Sequence, residues 1–82
     1  MYTCYDAAAQ AYLPPFVTPS ERDALASFTE AANDPQSNIC KYPKDFTLLQ
    51  IGEFDERTGV LVKLETPKIL KTGAQAKKDT NV

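Results

Sequence analysis

The run Phe46 to Phe54, F-T-L-L-Q-I-G-E-F, is followed by D-E-R-T-G and then by Val60 to Glu65, V-L-V-K-L-E. Two strand-like runs joined by so short a loop commit this part of the chain to an antiparallel hairpin, and the glycine closing the loop can take the left-handed backbone such a turn needs. Alternation divides the first run into two faces. Phe46, Leu48, Gln50, Gly52 and Phe54 share one, and Thr47, Leu49, Ile51 and Glu53 share the other. Both faces carry apolar residues. A sheet built on this strand is therefore either sandwiched by dimerisation or left with a second face as a working surface.

Upstream, Tyr2 to Tyr5 has strand composition and Asp6 to Gln10 reads as a connection. Ala11 to Val17 resumes an extended, aromatic-rich pattern, but its two prolines lack the N–H that a central strand position requires. A ligand for an aromatic groove would need an exposed polyproline core with basic flanks, whereas these prolines are adjacent and their neighbours are bulky and apolar. The segment A-Y-L-P-P-F is expected as an edge strand pinned by Tyr12, Leu13 and Phe16, its prolines denying another chain a hydrogen-bonding edge.

Thr18-Pro19-Ser20-Glu21 predicts a helix start, with Thr18 as N-cap, Pro19 in the first turn and Glu21 completing a capping box. The predicted helix runs from Pro19 to about Asn33. It turns Leu25, Phe28 and Ala32 inward, with Ala24 and Ala31 alongside, and is stopped by Asp34-Pro35. Within the polar stretch Gln36 to Asp45, Ile39 and Tyr42 are the expected core anchors. The fold class that results is α+β: a small antiparallel sheet of about four strands, in the order strand, strand, helix, strand, strand, with one amphipathic helix packed on one face. Residues 1–73 form the expected single domain, and residues 74–82 a flexible polar C-terminal tail.

With 82 residues the chain can build one thinly supplied core. Its charge is unevenly placed. Through Cys40 one base, Arg22, stands against five acids; from Lys41 onward eight bases stand against six acids, and the basic excess lies mostly after Glu65. The chain contains no histidine, which removes the commonest general base and metal ligand and leaves neither cysteine an imidazole partner. No enzymatic activity, cofactor or metal is expected. The acidic group Glu53, Asp55 and Glu56 fits a solvated turn with Arg57 in its midst. Cys4 and Cys40 are expected as reduced, partly buried apolar residues. No run approaches the length of a membrane span and the N-terminus lacks the pattern of a signal peptide, so no membrane partner is expected and the protein should stay where it is made.

Small antiparallel sheets bind single strands by stacking bases on aromatics beside lysines that meet phosphates. The candidates are Tyr2, Tyr12 and Phe46 among the aromatics around the strands, and Lys63, Lys68, Lys71, Lys77 and Lys78 among the bases. The terminal lysines serve equally well as a solubilising tail, and most aromatics of so small a protein are needed for its core.

Three stretches together resemble a known family: Y-D-A-A-A-Q-A-Y-L-P-P-F from Tyr5, Y-P-K-D-F-T-L-L-Q-I-G-E-F-D-E-R-T-G from Tyr42, and T-P-K from Thr66. Their order and spacing are similar to those of the small nonstructural protein of gokushoviruses, the microvirus group of single-stranded-DNA bacteriophages. The resemblance covers the chain to about Gly73. It implies a DNA-binding protein acting in viral DNA synthesis or packaging, in the host bacterial cytoplasm and not as a major virion component. Single-stranded DNA is the favoured partner, with a phage replication protein beside it; a second copy of the chain is expected from the two apolar faces of the Phe46 to Phe54 run and not from the resemblance. It brings no catalytic motif and no binding residues. The acidic balance of the chain departs from that of the strongly basic packaging peptides of these phages, which argues against bulk genome condensation. The competing expectation is a protein-interaction module that contacts a replication or assembly component without touching DNA.

Overall fold

The computed structural model describes residues 1–78. Strands β1 (Tyr2–Asp6), β2 (Ala11–Tyr12), β3 (Phe46–Phe54) and β4 (Leu61–Thr72) form one antiparallel sheet in the order β2-β1-β3-β4. Helix α1 (Glu21–Ala32) lies between the two strand pairs in sequence, a short helix α2 (Asn38–Lys41) and a 3-10 turn (Pro43–Asp45) lead into β3, and α3 (Gly73–Lys78) follows β4. The α+β architecture is the one expected.

The core lies between the sheet and the helices. Tyr2 and Cys4 of β1, Phe46 and Leu48 of β3, Ala24, Phe28 and Ala32 of α1 and Ala76 of α3 are its buried members, with Phe16, Leu25, Ile39 and Leu70 packed against them. Cys4 sits opposite Leu48, so the inward residues of both central strands line one face. Burial holds the Cys4 thiol protonated, raising its pKa to about 11. Both cysteines are free, Cys40 only half-buried.

Four details differ from expectation. The N-cap of α1 is Ser20, not Thr18: the Ser20 hydroxyl accepts from the Asp23 N–H at 3.2 Å, and the Thr18 hydroxyl donates to the Ser20 carbonyl at 2.6 Å. The cap and its acidic partner three residues on are thus Ser20 and Asp23, two positions later than predicted. Strand β4 does not stop at Glu65 but continues through Pro67 to Thr72. An outer strand tolerates proline, and here four residues between Lys63 and Lys68 oppose only Ile51, a bulge that absorbs it.

The third difference concerns the expected tail. Gly73–Lys78 form α3, and Ala76 is fully buried. A Cβ on Gly73 would collide with the Pro43 carbonyl, so glycine alone lets α3 start this close to the 3-10 turn. The Asn33 side chain donates to Thr29 at 2.8 Å and to the Ala76 carbonyl at 3.2 Å, tying the end of α1 to α3. Residues 79–82 lie outside the described residues. Fourth, Ile39 anchors in the core as expected, whereas Tyr42 is 59% exposed.

Segment A-Y-L-P-P-F takes the expected place at a sheet edge. Ala11 and Tyr12 pair with Asp6 and Tyr5, the Leu13 N–H donates to the Cys4 carbonyl, and Phe16 and Tyr2 exchange two backbone hydrogen bonds of 2.8 Å. Pro14 and Pro15 arch between these anchors. The buried Thr3 hydroxyl fixes the arch by donating to the Leu13 carbonyl at 2.7 Å.

Candidate nucleic-acid interface

The end of the sheet where β3 begins and β4 finishes brings together the segments that carry four lysines. Register places Lys71 opposite Leu48 and Thr72 opposite Thr47, so β4 delivers its last residues beside the 3-10 turn. Gly73 then packs under Pro43, and α3 turns back along α2, where the Lys77 ammonium donates to the Cys40 carbonyl at 3.1 Å. Lys41 and Lys44 are exposed on either side of this junction, and Lys71 is half-buried. Tyr42, between the first two, lines a shallow recess with Asp6, Asn38 and Asp45. Asp6 and Asp45 bring negative charge to the junction; Asp6 Oδ1 accepts from the Ala8 and Ala9 N–H groups, and the backbone carbonyl of Asp45 accepts from the Ala7 N–H. The junction thus presents an exposed aromatic ring flanked in sequence by two lysines, with the Lys77 ammonium on the carbonyl of Cys40 two residues before it.

Of the residues singled out in the sequence, Lys71 and Lys77 take part in this junction. The Lys78 side chain lies outside the described residues. Lys68 sits elsewhere, 3.6 Å from Glu21 on α1, an exposed pair of little energetic weight. Tyr2 and Phe46 retain only 5% and 6% of their surface, so neither can stack on a base; both are core residues, as the demand for apolar volume in a thin core requires. Tyr12 is exposed with its ring 4.8 Å from that of Tyr5, and Lys63 is exposed on β4, both on the side of the sheet away from the helices.

That side carries the second feature of the surface, an apolar groove of about 490 Å³. Its floor includes Thr3 and Ile51, one wall is the Leu13 to Pro15 arch, and the other is Leu61, Leu64 and Pro67 of β4. Lys63 is the one charged side chain lining it. The Met1 ammonium lies at its edge and donates to the Gly52 carbonyl at 2.6 Å; burial lowers its pKa against the opposing pull of Glu53. Asp55 of the hairpin loop serves the turn itself: its carboxylate accepts from the Arg57 N–H at 2.9 Å, while Gly59 takes φ 74°.

Lys41, Tyr42 and Lys44 escaped sequence reasoning. Their signal was present as K-Y-P-K, an aromatic between two lysines, but Tyr42 also fitted a core anchor.

In architecture the protein is a small two-layer α+β protein, with helices covering one face of its sheet and the Leu13 to Pro15 arch and a groove on the other. The chain belongs to the phage ORF5 protein family, whose model matches residues 1–76, and is thus a phage protein. The matched span includes Gly73 and Ala76. No curated protein and no solved structure matches the chain.

Proposed function

We propose that this phage protein is a nonstructural accessory protein of the microvirus type that binds DNA without catalysis, preferring single strands, during viral DNA synthesis or packaging in the host cytoplasm. The observation that supports this reading is the convergence, at one end of the sheet, of the segments that carry Lys41, exposed Tyr42, Lys44, Lys71 and Lys77, in a chain whose overall charge is negative. Lysines supply attraction to phosphates, and an accessible ring supplies a platform for an unpaired base, which a duplex keeps stacked. The acidic outer face of α1, with Glu21, Asp23 and Glu30 exposed, points the strand away from that side.

Fluorescence anisotropy with a labelled single-stranded oligonucleotide at low and moderate salt tests the reading. Binding in the micromolar range or tighter is expected, weaker for a duplex of the same length. Tyr42→Ala should weaken it about five- to hundredfold, the range that loss of one base stack implies. No binding at micromolar protein would sink the proposal. A second reading, a module that docks on a phage or host replication or assembly protein without DNA, draws support from the apolar groove.

A further inference from the structure

We propose that the recess beside Tyr42 selects the base that stacks there, favouring guanine, with Asp45 as the residue that reads it; this rests on the DNA-binding reading and adds a base preference to it.

Three residues of the junction are held in a fixed series by the backbone. The Tyr42 N–H donates to the Asn38 carbonyl at 2.8 Å, and the Asp45 N–H donates to the Tyr42 carbonyl at 3.0 Å. Buried Phe46 and the Ala7 N–H, which donates to the Asp45 carbonyl at 2.8 Å, fasten the end of the series to the sheet. Tyr42 and Asp45 are shared by two recesses. One, of about 320 Å³, is completed by Lys41, Pro43 and Lys44. The other, of about 280 Å³, is completed by Asp6, Ala8, Asn38 and Phe46. The exposed Tyr42 thus stands between a recess lined by lysines and one lined by acids and an amide residue.

A nucleotide has two chemically distinct ends that suit this division. Its phosphate is drawn to lysines and repelled by carboxylates, so the phosphates belong on the Lys41 and Lys44 side and the base on the other. A base stacked on Tyr42 then turns its edge toward Asp45. An ionised carboxylate only accepts hydrogen bonds. Asp6 Oδ1 already accepts from two backbone N–H groups, whereas the carboxylate of half-buried Asp45 has no hydrogen-bond or ion-pair partner among the described residues. Asp45 is the acceptor held in reserve.

Guanine alone sets two donors side by side on its Watson–Crick edge, N1–H and the N2 amino group, which a carboxylate accepts in parallel. Adenine and cytosine each place an acceptor nitrogen next to their amino group. Thymine has one N–H between two carbonyl oxygens. Each of these arrangements sets a lone pair against the carboxylate, most severely in thymine, so guanine ranks first and thymine last.

Fluorescence anisotropy of the full chain with a short labelled thymine strand, and with the same strand carrying one central guanine, tests this. The guanine strand is expected to bind at least about fivefold tighter, the lower bound for a bidentate base contact. Hypoxanthine in its place, lacking the N2 amino group, should lose most of that gain, and 7-deazaguanine, altered only on the opposite edge, should keep it. Asp45→Asn should collapse the guanine preference without weakening binding to the thymine strand, because it removes a charge that repels phosphate. Equal binding of both strands by the native protein overturns the inference and leaves the DNA-binding reading standing. A guanine preference that survives Asp45→Asn also overturns it, as does an equal loss of binding to both strands in that variant, which would mark Asp45 as structural only. Absence of binding to every strand overturns the DNA-binding reading and this inference with it.

Discussion

Cys4 shows how far one buried side chain can report on the whole fold. It lies in the sheet-to-helix core at 7% exposure, and its thiol pKa is raised to about 11 because burial disfavours the thiolate. A folded-state pKa above the unfolded one, ordinarily near 8.5 to 9, means that the unfolded chain loses its proton first as pH rises. Stability from this residue is therefore complete below about pH 9 and falls until the folded thiol ionises near 11. Urea unfolding at pH 8, 9, 10 and 11 should show that decline, and Cys4→Ala should flatten the part due to the thiol. Thiol-reactive labelling of the native protein at pH 8 should modify half-buried Cys40 well before Cys4.

Elements of this protein are held more by their neighbours than by their own propensity. Helix α3 is only six residues long, too short to persist alone, and its sequence G-A-Q-A-K-K reads equally well as a polar tail. It forms because β4 delivers Gly73 against Pro43 and because Ala76 fills a space between α1 and the sheet. Ala76→Glu places a carboxylate in that space and should cost more than about 3 kcal/mol in urea or thermal unfolding. Were the segment a loose tail, the change would be nearly neutral. The A-Y-L-P-P-F edge makes the opposite case, a local pattern whose meaning survives folding intact. Prolines could sit only where no ladder hydrogen bond is asked of them, and Pro14 and Pro15 lie between the two anchor points at Leu13 and Phe16. Replacing both with threonine restores two N–H donors to an outer strand and should increase concentration-dependent aggregation by light scattering, with little change in thermal midpoint.

At the scale of the molecule, charge and apolar surface are segregated. The acidic helix α1 lies on one side, the lysine junction at one end and the mainly apolar groove on the face away from the helices. This arrangement predicts how DNA binding responds to salt. If Lys41, Lys44, Lys71 and Lys77 each meet a phosphate of a single strand, log K should fall against log salt with a slope of about −3, and Lys41→Glu/Lys44→Glu should make that slope shallower by at least about 1. A flat response would remove the junction from the account of binding.

Read without coordinates, the chain already discloses its α+β class, the hairpin at Gly59, the edge strand at Pro14 and Pro15 and the inward stripe of α1. Each depends on periodicity or on proline and glycine stereochemistry, which act over a few residues. It also discloses that β3 is apolar on both sides, and hence that one helical layer cannot satisfy the sheet. Only the tertiary structure decides which aromatics are spent on the core and which reach the surface. Tyr2 and Phe46 are buried because β1 and β3 are the central strands beneath α1, while Tyr42 is exposed because the turn holding it lies at the sheet end. It likewise decides which lysines meet: Lys41 and Lys77 are 36 positions apart in the sequence and become neighbours through the long β4 strand and the close contact of Gly73 with Pro43. Such groupings arise from contacts between distant segments, and no local pattern in the chain encodes them.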